Sequence, residues 1–475
     1  MNAPSPGTPD AIVIGSGPNG FAAAVTLAQA GLSVVVYESE DTIGGGTRTA
    51  QLTLPNFQHD VCSSVHPMAV SSPFFQALDL KQFGLRWVFP EAALAHPLPD
   101  GDTAVIANPF DANLAQFGPD APAIRNLLAP LVESWPDISR EILAPVHVPR
   151  HFAKLARFGW NALQPAGRIA TQFKMEKARA VFAGLAAHSM LPLDRWLSSA
   201  TALVLWAAAY AAGWPFAAGG SQSIAAALAK SLESLGGRII TRCRITALDE
   251  LPSSRAVLCD VTPRQFLAIA ANRVSGSERR TFTNYRYGPG VFKLDWALDG
   301  PIPWNSPACS RAGTVHIGSF EEIAASESRA WTGPPSERPF VLLAQPSLFD
   351  PSRAPAGKHT AWAYCHIPNG SSFDMTDRVE VQVERFARGF RDRILSRSVM
   401  FPGDFESHNA NIIGGDIGGG SMELGQFFLR PSRRLYSTSI PNVFVCSAST
   451  PPGPGVHGMC GHLAAQRALR CCLRK

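Results

Sequence analysis

Gly15, Gly17 and Gly20 stand at the spacing Gly-x-Gly-x-x-Gly, and an acidic residue, Glu38, follows them. Residues of these types in this order bind a dinucleotide. Gly15 makes a tight turn, Gly17 lets a pyrophosphate approach the backbone, Gly20 permits close helix–strand packing, and Glu38 accepts hydrogen bonds from the adenosine ribose. Just past Glu38 comes a second glycine cluster, Gly44-Gly45-Gly46-Thr47-Arg48-Thr49. A cofactor ending in nicotinamide has no need of a second loop for backbone approach there. One that continues from the pyrophosphate into a ribityl chain does, and Arg48 offers phosphate oxygens a planar, permanently charged fork. The chemistry indicated is flavin redox chemistry on FAD.

The elements that must position these residues are legible around them. Ala11–Ile14 is a short apolar run typical of a buried parallel strand, Phe21–Ala28 continues the glycine turn as a helix, and Leu32–Tyr37 returns as a strand ending at Glu38. Gly219-Gly220-Ser221-Gln222-Ser223 opens another helix over Ile224–Leu235, followed by a strand over Arg238–Arg244, and Ala256–Asp260 reads as one more buried strand. Near the end, Val443–Val445 leads into Ser447-Ala-Ser-Thr-Pro-Pro-Gly-Pro-Gly-Val-His-Gly-Met-Cys-Gly461, a stiff turn poor in side chains, and then an Ala/Leu-rich helical stretch. The fold class expected is α/β: a discontinuous Rossmann-type domain beside a second, α+β domain.

The chain has 475 residues, 46% of them hydrophobic, enough for two or three domains' worth of core. With 42 basic and 37 acidic residues the net charge is +5, too mild to imply a nucleic-acid partner. Nine scattered cysteines without a Cys-x-x-Cys pair fit neither a disulfide framework nor a zinc site. No metal site is expected, and with a polar, Pro-rich start the chain is read as cytoplasmic.

Further matching blocks extend the pattern: Phe57–Asp60 through Ser63–Pro67, Gly213-Trp-Pro215, Gly219–Gln222, Ala256–Pro263 and Tyr287–Lys293. Together with Ile12–Gly20, Glu38, Gly44–Thr49 and Ser447–Gly461, they make the chain resemble the FAD-dependent oxidoreductases of the phytoene desaturase (phytoene dehydrogenase-like) family, which share an architecture with amine oxidases. The resemblance implies an FAD site formed by Gly15, Gly17, Pro18, Asn19, Gly20, Glu38, Ser39, Gly45, Gly46, Thr47, Arg48, Val65, His66, Ile245, Thr262, Ser447, Gly455, Val456 and His457. It also implies that the last turn delivers a helix N-terminus to the flavin ring, where unpaired N–H groups favour the negative charge of the reduced form. His66 and His457 are the candidate catalytic histidines near the ring, each alternatively a hydrogen-bonded structural residue. Where many flavoproteins carry Gly-Asp for the ribityl hydroxyl, this chain has Cys446-Ser447-Ala448-Ser449.

By the same resemblance, residues 1–75, 213–284 and 416–475 form the FAD-binding domain, and 76–212 (helical over 115–212) and 285–415 the substrate-binding domain. Asp100-Gly101 signals a hairpin, and Val291–Trp296, Phe340–Ala344 and His359–His366 read as strands. Trp196–Ala229 carries no charge, and is either a core helix or the wall of an apolar substrate tunnel. Residues 150–179 hold seven Lys or Arg against one acid, with aromatics interleaved. That is either a solvated basic face or a peripheral membrane contact through which a lipid enters. A hydrophobic, isoprenoid-like substrate is expected, desaturated by hydride transfer to flavin N5. No separate NAD(P)-binding domain is expected, and electrons are expected to leave to oxygen or a quinone. Alternatives are an amine oxidase or other small-molecule FAD oxidase on the same fold, or an FAD-binding scaffold protein.

Overall fold

A computed structural model describes residues 8–147 and 152–473. Ala11–Ile14 lies at the centre of a five-stranded parallel sheet in the order 443–445, 256–259, 11–14, 34–37, 238–240. All four residues of that strand are buried, as a strand covered on both faces requires. The helix Pro18–Gln29 leaves it directly, with Pro18 in its first turn, where a missing N–H costs nothing. The helices 222–234 and 459–468 pack beside it over a shared core that includes Phe21, Val25, Leu228 and Ala465. At the crossing of the first and last helices Gly461 is indispensable: a Cβ there would sit 1.7 Å from the Asn19 carbonyl oxygen.

Residues 290–298, 312–317, 341–344, 359–367 and 394–400 build a second, seven-stranded sheet with the hairpin 92–97/103–106. Its pairings are antiparallel except that 312–317 runs parallel to 92–97. Strand alternation gives this sheet two different faces. Phe292, Leu294, Trp296, Leu343 and Cys365 form an apolar core on one side. Directly opposed residues of the other face make a row across the strands: Lys293, Tyr364, Leu342 and His316. The helices 176–187 and 198–211 cover that face.

Three expectations need correction. The strand over 238–244 ends at Ile240, because Arg242 takes a left-handed backbone (φ 54°) and the chain leaves the sheet to bond back to Glu40 and Glu38. The helix expected from Ile224 begins at Gln222. The basic run is not one face: Lys177 is buried against Asp102 at 2.5 Å and Arg179 pairs with Glu176, whereas Arg157, Arg168 and Lys174 are exposed. Arg150 lies outside the described residues. The uncharged stretch resolves as core and wall at once. In helix 198–211, Leu203, Trp206 and Ala207 are buried in the core, while Thr201, Val204 and Leu205 line a cavity.

Candidate active site

A single cavity of about 1110 Å³ runs between the two sheets. It exceeds the roughly 300–1,000 Å³ usual for one small molecule, leaving room for a cofactor and a substrate end to end. Of the site residues read from the sequence, all line it except Gly20. Gly20 instead packs the turn: a Cβ there would lie 2.1 Å from the Gly15 carbonyl oxygen.

Tyr37, Glu38, Ser39 and Ile245 line the cavity beside the first glycine loop. Glu38 is 5% exposed and accepts hydrogen bonds from the Ser16 N–H at 2.9 Å, the Ser16 hydroxyl, Ser39 Oγ and the Glu40 N–H. Arg48 lies 3.6 Å from it, donates to the His408 carbonyl, and keeps its Nε buried without a partner. An unsatisfied guanidinium nitrogen beside bare glycine backbone is a ready site for an anion. Gly45 approaches so closely that an added Cβ would stand 3.2 Å from Gly17 Cα, so the two glycine loops form one cradle. The residues present therefore fit an elongated dinucleotide with a pyrophosphate at its middle.

In the closing loop, Gly455 has a φ of 129° and His457 folds back on the loop. His457 Nε2 meets the Gly453 carbonyl at 3.2 Å, and its Nδ1 accepts the Met459 N–H at 3.0 Å, which satisfies a first-turn donor of the last helix. His66 is likewise engaged at both ring nitrogens, by Ser221 Oγ at 2.9 Å and Ser63 Oγ at 3.4 Å. Burial holds both histidines down to about 4, so both are neutral near pH 7. Val65, Thr47, Thr262, Ser447 and Val456 also line the cavity. Ser447 is anchored through its hydroxyl to the Val261 carbonyl at 2.8 Å, where a carboxylate stands in other flavoproteins.

Two groups were not singled out as site residues from the sequence. Asp260 ends a central strand and accepts the Gly20 N–H at 2.9 Å; burial, which outweighs that bond, pushes its carboxyl up to about 7. Lys293 and Asp295 form a buried ion pair, with His59 on the second carboxylate oxygen at 3.4 Å. Their signal was available, since two charges at i and i+2 in an apolar strand must share one buried face.

A family model described as an NAD(P)-binding Rossmann-like domain matches residues 13–79. The pyridine nucleotide-disulfide oxidoreductase domain-containing protein 2 of Rattus norvegicus is 25% identical, covering 97% of this chain and 93% of its own. The lycopene-forming phytoene desaturase of a Paracoccus species is 23% identical over 98% of both chains. The crystal structure of an oxidoreductase from Methanosarcina mazei has the same fold, with a TM-score of 0.67, 15% identity, and coverage of 97% of this chain and 99% of that one. The chain is an FAD-dependent oxidoreductase, similar over nearly its full length to a phytoene desaturase. In this desaturase-like flavoprotein, no helix among the described residues is long and apolar enough to cross a membrane.

Proposed function

We propose that the protein dehydrogenates a carbon–carbon bond in a hydrophobic, isoprenoid-like substrate. The observation that carries the proposal is the continuity of the cavity past Gly455 and His66 into a chamber walled by Val204, Leu205, Trp214 and Leu342. FAD, when bound, supplies a hydride acceptor at N5. The chain's own residues hold the cofactor along the glycine cradle, clamp the substrate C–H bond toward the ring end, and exclude water with the apolar wall. His66 and His457 serve as positioning residues there, because their ring nitrogens are occupied by the fold. The FAD-binding domain is taken as 1–75, 213–284 and 416–475, the remainder holding the substrate, with oxygen or a quinone as electron acceptor.

Amine oxidation is the second reading, favoured by one observation: Trp362 and Tyr364 stack at 5.8 Å with rings only 5° from parallel, and both line the chamber. Against it, the charged group that lines the chamber beside this pair is the Lys293 ammonium, itself paired with Asp295, which repels a substrate ammonium.

Purified protein is expected to be yellow and to release FAD, not FMN, on denaturation. Its flavin should bleach anaerobically with isoprenoid probes and not with alkyl amines. Bleaching by amines alone would replace the first reading by the second. Entry from a membrane surface is part of the proposal. The cavity reaches Val146 and Phe158, beside Trp160 and Trp196, which are 61% and 50% exposed. Co-sedimentation with anionic liposomes should fall with added salt and with Arg157→Glu plus Trp160→Ala. Equal sedimentation of the variant would assign this face to solvent.

A further inference from the structure

We propose that His188 and Tyr364 form a recognition point for one neutral oxygen, a hydroxyl or carbonyl, on the otherwise apolar substrate. The proposal deepens the apolar-chamber reading and rests on it.

His188 closes helix 176–187 and stands in the chamber wall, half-buried. Its Nε2 is 3.1 Å from His316 Nε2, a residue in the row that crosses the second sheet. Two ring nitrogens at that distance share one proton-bearing N–H. His316 Nδ1 is buried without a partner, and the helix passes so close that a Cβ on Gly184 would lie 2.9 Å from it. Leaving a lone pair unpaired there costs less than leaving an N–H unpaired, so His316 Nε2 carries the hydrogen and donates to His188. His188 Nδ1 then carries its own hydrogen. It has no hydrogen-bond partner among the described residues and borders the chamber, so it presents a donor. Tyr364, also half-buried and lining the chamber, has no hydrogen-bond partner for its hydroxyl among the described residues, and that hydroxyl can donate or accept. His366 lies beside Tyr364, with its ring 5.5 Å away and its Nδ1 meeting Glu327 at 2.8 Å.

The two groups carry no charge themselves: burial pushes the Tyr364 hydroxyl up, Lys293 beside it is paired with Asp295, and Glu327 is bonded to His366. Burial first, and His366 second, hold His188 down to about 3; burial holds His96 to about 4 and His316 well below the ordinary histidine range. Neutral donors suit an oxygen that carries no charge, and give neither a carboxylate nor an ammonium group an ionic partner. The histidines do not form a metal site, since among the described residues no three His, Cys, Asp or Glu side chains group as ligands. A hydrocarbon would leave these donors unpaired in a dry wall, whereas an oxygen satisfies them.

The test uses the yellow holoprotein and reads dissociation constants from the shift in flavin absorbance and from tryptophan quenching. The probes are geranylgeraniol, the matching aldehyde, acid and amine, and the hydrocarbon without the oxygen. The alcohol and aldehyde should bind about two- to tenfold tighter than the hydrocarbon, the range of one neutral hydrogen bond. His188→Phe should erase that preference without weakening the hydrocarbon, and Tyr364→Phe, which removes one oxygen atom and little else, should reduce it. Equal binding of alcohol and hydrocarbon by wild type overturns this proposal alone, as does tighter binding of the acid or the amine. An equal loss for every probe in both variants also overturns it and makes the pair structural. Binding of none of the probes by yellow protein overturns the apolar-chamber reading together with it.

Discussion

Gly455→Val should give folded protein that no longer retains FAD, or retains it with an altered redox potential. The residue occupies a φ of 129°, a region that branched side chains avoid, and an added Cβ would already press on His457 Cδ2 at 3.0 Å. The valine methyl groups would extend into the space that bare backbone leaves for the ring. The loop contributes little apolar burial, so thermal unfolding of the apoprotein should change little while flavin content drops. His457→Ala should be milder. It removes the bonds to the Gly453 carbonyl and the Met459 N–H but leaves the helix N–H groups in place, so FAD should stay bound and its reduction slow. Flavin content per chain, measured by absorbance after purification, separates the two. Wild-type content and potential in Gly455→Val would remove this loop from the flavin.

A larger loss of stability is expected from Gly461→Ala. At this position the last helix crosses the first, and the new Cβ would meet the Asn19 carbonyl oxygen at 1.7 Å and the Ala23 nitrogen at 2.9 Å. Both are backbone atoms of a helix and cannot swing aside as a side chain would. The helices must separate, opening the core around Phe21 and Ala465, at a cost of about 3 kcal/mol or more. Gly276→Ala is the control: nothing lies within 4 Å of its Cβ, so the change there should stay within about 1 kcal/mol. Chemical denaturation of both variants measures the contrast. Equal midpoints would mean that the two helices do not cross as described.

The phosphate glycines were legible because their job is local. Gly15, Gly17 and Gly20 are read from a strand, a turn and a helix contiguous in the chain, and the same holds for Glu38 at the end of the next strand. The closing loop was legible for a similar reason, since Pro452, Gly453, Pro454 and Gly455 declare their stiffness by type. His188 gave no such signal. Its partner, His316, is 128 residues away, and only the sheet register brings His316 into the row with Tyr364 and Lys293. Arg242 misled for a different reason. An apolar-to-polar run reads as a continuing strand, and nothing in it announces a left-handed residue that turns the chain toward the cavity. The basic run misled because charge was counted without direction, and Lys177 points inward to Asp102.

The crossing at Gly461 also sets a timetable. Thr26 Oγ1 and His462 Nδ1 touch at 2.9 Å although 436 residues separate them. Elongation at about 5–20 residues per second puts roughly 20–90 s between the synthesis of the phosphate cradle and that of the helix that completes it. Throughout that interval the part of the first helix that Gly461 packs against, around Asn19 and Ala23, lacks the last helix. The core between the first and last helices thus closes only as a late event of biosynthesis.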